Sequence, residues 1–192
     1  MGGDIFITER LILRQFNKCD SDALFSILSD EEVNTYLPMF PLKTKEEAQK
    51  YLQEHFLQNK NIKHYAICLK EDNIPIGYIQ IDKQECHDFG YALKKEYWHK
   101  GFMIEACEKV IQQLKQEGFP YITATHDRMN LRSGNVMKKL GMTYCYSYEE
   151  QWQPKDILVT FRMYQLHFDN HQKRIYKGYW NKYANHFIET DL

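Results

Sequence analysis

His99, Lys100, Gly101, Phe102 and Met103 stand between two segments of different character. Before them, His87 to Leu93 is rich in β-forming residues. After them, Met103, Ala106, Cys107, Val110, Ile111 and Leu114 recur at helical spacing through Gln116, with Gly118 as a stop. A loop that turns directly into a helix leaves the first amide N–H groups of that helix without intrachain acceptors. The helix dipole adds positive character behind them. Such a corner binds anions, and a pyrophosphate suits it well. Taken alone, a strand–loop–helix junction is as often a plain turn that binds nothing.

The elements around this loop can be read from period and punctuation. Ile5 to Phe16 reads as a first strand. Asp20 or Ser21 is placed to cap a short helix carrying Ala23, Leu24, Ile27 and Leu28. A short turn through Val33 and Tyr36 ends at Pro38, and Thr44 to Glu47 reads as a capping box opening a helix through Phe56. The period then changes to that of a hairpin, Tyr65–Leu69 and Ile76–Ile81, around the polar turn Glu71–Asn73. His87 to Leu93 is the next strand, then the loop and long helix. Pro120–Thr125 is a strand and Asn130–Leu140 a helix stopped at Gly141. Two late β segments, Thr143–Tyr148 and Ile157–Leu166, follow, and from Asp169 the chain becomes an aromatic and basic tail. This order predicts an α/β fold with a mixed sheet, not a regular βαβ repeat.

Composition narrows the function classes. At 192 residues, with 43% hydrophobic and 15% aromatic side chains, the chain is expected to fold as one globular unit. Its 25 basic and 26 acidic residues leave no broad field for gripping DNA or RNA, so no nucleic-acid partner is expected. The five cysteines, Cys19, Cys68, Cys86, Cys107 and Cys145, are scattered without a CxxC pair, so neither a zinc site nor a disulfide framework is predicted. Neither a signal segment nor an apolar run long enough to span a bilayer is found, and a cytoplasmic protein without a membrane partner is expected. Met1-Gly-Gly has the start of a myristoylation signal, but Phe6 stands where Ser or Thr is required.

Three motifs then agree. Trp98-His-Lys-Gly-Phe-Met103 resembles the Q/R-x-x-G-x-G/A loop of the GNAT acetyltransferase superfamily. Asn130-Leu-Arg-Ser-Gly-Asn-Val-Met-Lys-Lys-Leu-Gly-Met142 resembles the N-x-x-S-x-x-V-(M/L)-x-K-L-G-(F/M) helix of the ribosomal-protein N-acetyltransferase-like branch, and Thr8 to Arg14 its T-x-R-L-x-L-R start. Their order covers Thr8 to about Phe168, giving a 1–168 domain and a 169–192 tail packed on it or at an interface. The resemblance implies a GNAT-type mixed, mostly antiparallel central sheet with splayed fourth and fifth strands, flanked by helices. Acetyl-CoA is implied as co-substrate, with no metal, its pyrophosphate on His99, Lys100, Gly101, Phe102 and Met103. The pantetheine would run along Tyr91, Ala92 and Leu93 and reach Asn130 and Ser133. Lys100 would either reach the phosphates or point to solvent. Two positions depart from the pattern: Trp98 replaces Gln or Arg, and Met103 stands where Gly or Ala is usual, so its side chain must turn into the core.

The implied chemistry is acetyl transfer to a primary amine by direct attack. Met137 stands where many relatives carry a proton-donating Tyr, and Ser133 is the residue implied to assist the departing thiolate; its other reading is the first turn of a helix. Glu150 is the implied base, with Glu149, Asp88 and His126 as further choices, although paired acids in a turn are commonly solvated surface. Tyr144, Tyr146 and Tyr148 alternate on one strand face and either line an acceptor groove or belong to the core. The acceptor is read as a small-molecule or peptide amine. The competing reading is a non-catalytic CoA-binding or sensing module, and the aromatic tail offers a surface for a homodimer.

Overall fold

A computed structural model describes residues 5–171 and 173–190; Met1, Gly2 and Gly3 lie outside them. The first strand is interrupted. Thr8 N–H bonds back to Leu11 O at 3.0 Å, folding the segment into a tight hairpin of β1 (Phe6–Ile7) and β2 (Leu11–Arg14). Beyond it, α1 (Ser21–Leu28) and α2 (Glu31–Asn34) lead to α3 (Lys45–Tyr51), which runs on as a π-helical turn through Leu57. Asp20 precedes α1 but makes no cap hydrogen bond. Its carboxylate is instead held by both terminal nitrogens of Arg14, at 2.8 and 2.9 Å. Thr44 caps α3 through Glu47 N–H, but Glu47 reaches Lys43 N–H instead of closing a box on Thr44.

Strands β3 (Ile62–Leu69), β4 (Pro75–Asp82) and β5 (Phe89–Leu93) complete a five-stranded antiparallel sheet in the order β1-β2-β3-β4-β5. Helix α4 (Phe102–Gln116) crosses one of its faces. Leu11, Leu13, Ile67, Ile79, Ile81 and Phe89 meet Ala106, Val110 and Leu114 there in the main core. Alternation sends the intervening residues, Ala66, Cys68, Tyr78 and Ala92, to the other face, where they pack on Leu24, Ile27 and Leu28 of α1. Met103 is buried in the main core.

The second sheet has the order β6-β8-β7-β9, from β6 (Tyr121–Asp127), β7 (Thr143–Trp152), β8 (Ile157–His167) and β9 (His186–Phe187). Helix α5 (Leu131–Lys139) links β6 to β7, and α6 (Gly178–Lys182) lies in the tail. Strands β5 and β6, the fourth and fifth of the expected pattern before the first strand divides, touch through a single parallel bridge, Asp88 to Thr123. Thr123 N–H donates to His87 O at 3.2 Å, and beyond that rung the strands separate. The splay therefore opens toward Leu93 and Asp127.

The tail folds back over the second sheet. Tyr179 and Tyr183 stack on Tyr148 with ring centroids 5.2 and 4.7 Å apart, and Trp180 meets Tyr146 edge-on at 5.4 Å. A bulge between Tyr144 and Tyr146 breaks the expected tyrosine stripe. Tyr144 joins the main core, while Tyr146 and Tyr148 lie under the tail. The same strand carries Glu149 and Glu150, so these acids sit within β7 and not in a turn.

Candidate active site

The loop before α4 has the geometry that an anion corner requires. Gly101 occupies the N-cap position at φ +83° and His99 lies at φ +61°. The helical ladder begins with Glu105 N–H to Gly101 O at 3.1 Å, so the N–H groups of Phe102, Met103 and Ile104 precede it. A second segment fixes this loop from outside. Arg10 donates from Nη1 to the carbonyl of Lys100 at 2.9 Å and from Nε to Glu105 Oε2 at 2.7 Å, while its guanidinium lies 4.1 Å from the Phe102 ring centre. Thr8 and the Arg10 amide both donate to Glu105 Oε1, at 2.5 and 2.8 Å. Burial alone would raise the Glu105 pKa; these hydrogen bonds and the Arg10 charge bring it below the usual glutamate value.

A cavity of about 680 Å³ runs from this loop through the splay. His99, Gly101, Phe102 and Met103 line one end of it, and Asn130, Ser133 and Glu150 also face it. Lys100 does not: its ammonium lies 5.7 Å from the Tyr97 ring centre, outside the lining. The basic side chains Arg132, Lys138 and Lys139 reach the cavity from α5.

The edge of β5 also faces the cavity, and ladder parity decides which of its groups are free. Asp82 N–H bonds to Asp88 O at 3.0 Å and Lys94 N–H to Ile76 O at 2.8 Å, so the even-numbered residues of β5 spend their main-chain groups on β4. Ala92 is therefore paired with Tyr78 and offers its methyl alone. Tyr91 and Leu93 turn their main-chain groups to the opening. Trp98 takes one of them: its indole N–H donates to Leu93 O at 2.8 Å. Its ring also stacks on the Arg132 guanidinium at 4.1 Å, which gives this departure from the loop pattern a structural task.

Asn130 caps α5, accepting from Ser133 N–H at 3.2 Å. Ser133 is met from across the splay by Tyr91, whose hydroxyl lies 3.0 Å from the Ser133 carbonyl and 3.1 Å from its Oγ. Burial pushes the Tyr91 hydroxyl pKa well up, so it stays protonated. Beneath α5, His126 is buried and its pKa lowered mainly by desolvation; Nδ1 contacts Asp127 O at 2.8 Å. A Cβ on Gly134 would lie 2.8 Å from the His126 ring, so this helix approaches β6 only because residue 134 has no side chain.

Glu150 faces Tyr183 and Lys182 of the tail, whereas Glu149 is turned to Asn185. Asp88 lines the cavity floor, its Oδ1 buried and without a hydrogen-bond partner. Burial pushes its carboxyl up to about 7, Asp82 adds to the rise, and hydrogen bonding from Tyr179 opposes it. The Tyr91 side chain, Arg132 and Tyr179 line the cavity beyond the residues the sequence predicts. Arg132 carries a signal, since it sits inside the helix motif; Tyr179 belongs to a tail without period or motif. Among the described residues, no group of three or more His, Cys, Asp or Glu is placed to hold a metal, and no helix is long and apolar enough to cross a membrane.

Residues 10–143 match the sequence model of the acetyltransferase (GNAT) domain. The uncharacterized N-acetyltransferase YnaD of Bacillus subtilis (strain 168) is 28% identical over 139 residues, covering 70% of this chain and 80% of its own. Among solved structures, an acetyltransferase (GNAT family) from Bacillus anthracis superposes with a TM-score of 0.76 at 23% identity, covering 86% of this chain and 99% of its own. RimL, a ribosomal L7/L12 alpha-N-protein acetyltransferase in complex with coenzyme A, does so at 0.75 with 19% identity, covering 85% and 98%.

Proposed function

The chain belongs to the GNAT acetyltransferase family, whose members use acetyl-CoA, and from that premise we propose that it acetylates a primary amine by direct attack in a ternary complex. One observation carries the reading. The positive-φ loop at Gly101, the unpaired edge of β5, Ser133 and Glu150 all open onto one cavity.

The residues present fit acetyl-CoA. Gly101 keeps the loop backbone clear of side-chain bulk, and the N–H groups of Phe102 to Ile104 with His99, Arg132, Lys138 and Lys139 offer a positive corner for the diphosphate. The free main-chain groups of Tyr91 and the N–H of Leu93 hold an extended arm as a neighbouring strand would, with Asn130 and Ser133 on the far side. Acetyl-CoA supplies the thioester, an activated acyl group with a good leaving group. A β5 N–H polarises the carbonyl under attack.

Ser133 hydrogen-bonds the departing sulfur. Tyr91 supports this role by position: its hydroxyl proton goes to the Ser133 carbonyl, and its oxygen accepts from Ser133 Oγ, holding the serine hydroxyl at the cavity wall until it turns to the sulfur. Glu150 takes the proton of the attacking amine through water. The acceptor is a small-molecule or peptide amine.

The test is thiol release from acetyl-CoA in the presence of amines, with calorimetric titration of acetyl-CoA alongside. Turnover with an amine is the expected result. Tight binding without turnover would instead favour a sensing module. Gly101→Val, which strains an αL position by ~1–2 kcal/mol, is expected to weaken acetyl-CoA binding by about tenfold or more. Unchanged binding by that variant would remove the loop from the site.

A further inference from the structure

Glu32, paired with Lys95, and Asp127 also line the cavity, and the rest of its charge is unevenly spread. Its loop end carries His99 and the basic residues of α5. Its other end is built from Tyr148, Trp152, Phe161 and Tyr179 around two carboxylates, Asp88 and Glu150. Those two acids differ. Glu150 has Lys182 and Tyr183 for neighbours. Asp88 has burial, the like charge of Asp82 and the Tyr179 hydroxyl acting on it, and no cation among them. Burial favours the proton on Asp88, and a positive group that arrives there displaces that proton and completes the unpartnered Oδ1. Aromatic faces add to the attraction for such a group.

The tail determines what shape of cation fits. Tyr179 and Tyr183 roof Tyr148, and Asn185 to Phe187 run along the outer edge of β7. Glu149 N–H is bonded to Asn185 O at 2.9 Å, and Ser147 and Tyr148 pair with Phe187 and His186. From Ser147 to Glu149 that edge is therefore spent. A peptide acceptor has no free main-chain rail there, whereas a compact amine needs none.

We infer that this end of the cavity is a subsite for a compact ammonium-bearing small molecule with an apolar substituent, docked with its charge against Asp88. Tyr179, outside the segment matched by the family model, is the positioning residue that orients that carboxylate. The inference rests on the acetyltransferase reading of the same cavity and names its acceptor class.

The experiment compares phenethylamine, n-butylamine and a tetrapeptide with a free N-terminus as acceptors for the full chain, with acetyl-CoA affinity measured in parallel. The expected result is a kcat/KM for phenethylamine at least ~10-fold above that for the peptide. Asp88→Asn is expected to raise the amine KM by ~30-fold or more while leaving the acetyl-CoA Kd within about twofold. It should also abolish competitive inhibition by benzyltrimethylammonium, a loss that a merely structural role would not single out. Tyr179→Phe should raise the amine KM by ~3- to 10-fold. Preference for the peptide, or an unchanged amine KM in Asp88→Asn, overturns the subsite and leaves the acetyltransferase reading intact. If Asp88→Asn does not fold, an unchanged KM in Tyr179→Phe overturns it. A native chain that does not bind acetyl-CoA overturns the acetyltransferase reading itself.

Discussion

Arg10 and Glu105, 95 positions apart in sequence, are joined at 2.7 Å, and the same guanidinium holds the carbonyl of Lys100. The opening motif of the chain thus reaches the loop that begins α4 and fixes it from behind. Thr8 completes the arrangement through the other carboxylate oxygen. The positive-φ loop is held by side chains that never face the cavity.

Glu105→Gln is expected to keep the fold while loosening the loop. The loss of a partly exposed charge-assisted contact, about 1 kcal/mol after allowance for solvent, corresponds to roughly a fivefold rise in the acetyl-CoA Kd. Because the folded state holds this carboxylate below its ordinary pKa, its contribution is present above the unfolded value and is lost as pH falls through the folded one. Acetyl-CoA titrations of native and variant protein, repeated toward acid, check both statements. Equal affinities would show that the clamp does not shape the site.

Ser133→Ala is expected to lower kcat by ~10- to 100-fold with little change in acetyl-CoA affinity, since it removes an interaction with the developing thiolate. Tyr91→Phe should have a smaller effect of the same kind, ~3- to 10-fold, because the serine keeps its hydroxyl but loses the group that orients it. Stopped-flow thiol release measures both. A Tyr91→Phe enzyme slower than Ser133→Ala would reverse the roles.

Gly134→Ala brings a methyl to 2.8 Å from the His126 ring and should destabilise the protein by ~1–3 kcal/mol. His126→Ala in the same chain should recover part of that loss, a coupling that a double-mutant cycle in urea reads directly. Strict additivity of the two changes would show that helix and ring do not press on one another.

His64 predicts an acid limb in stability. It is buried beside Phe56, ring centroids 4.6 Å apart, and its pKa falls from 6.5 to about 4 through burial first, then His55 and Lys83. The unfolded chain therefore takes up this proton before the folded one does, and stability declines as pH falls from about 6.5 to about 4. Between about pH 7.5 and about pH 5 the loss from this residue comes to ~2 kcal/mol. His64→Phe should flatten that part of the urea-midpoint profile; an unaltered slope would assign it to other groups.

What could be read from the sequence was local. Gly101 announces its backbone need by being glycine before an apolar-periodic helix, and the helix stops at Gly118 and Gly141 do the same at φ +82° and +80°. The break at Thr8–Leu11 carries no glycine or proline, so nothing in the sequence marks the division of the first strand. The tyrosine stripe on β7 failed because one inserted residue, Cys145, reverses the faces. Ladder parity, which frees Tyr91 and Leu93 but not Ala92, depends on which partner strand lies alongside. The tail was least legible, since Tyr179 acquires meaning only from Asp88, 91 positions away.

Among the described residues, the rung between Asp88 and Thr123 is the one β-bridge that fastens the two sheets, and it lies at the floor of the cleft. Higher up, Tyr91 on Ser133 and Trp98 on Arg132 are the crosspieces. The width of the mouth is consequently gauged by side-chain length instead of by main-chain pairing. Shortening either crosspiece alters the spacing of the walls without disturbing a strand, so the cleft can be resized through substitutions that leave its hinge line untouched.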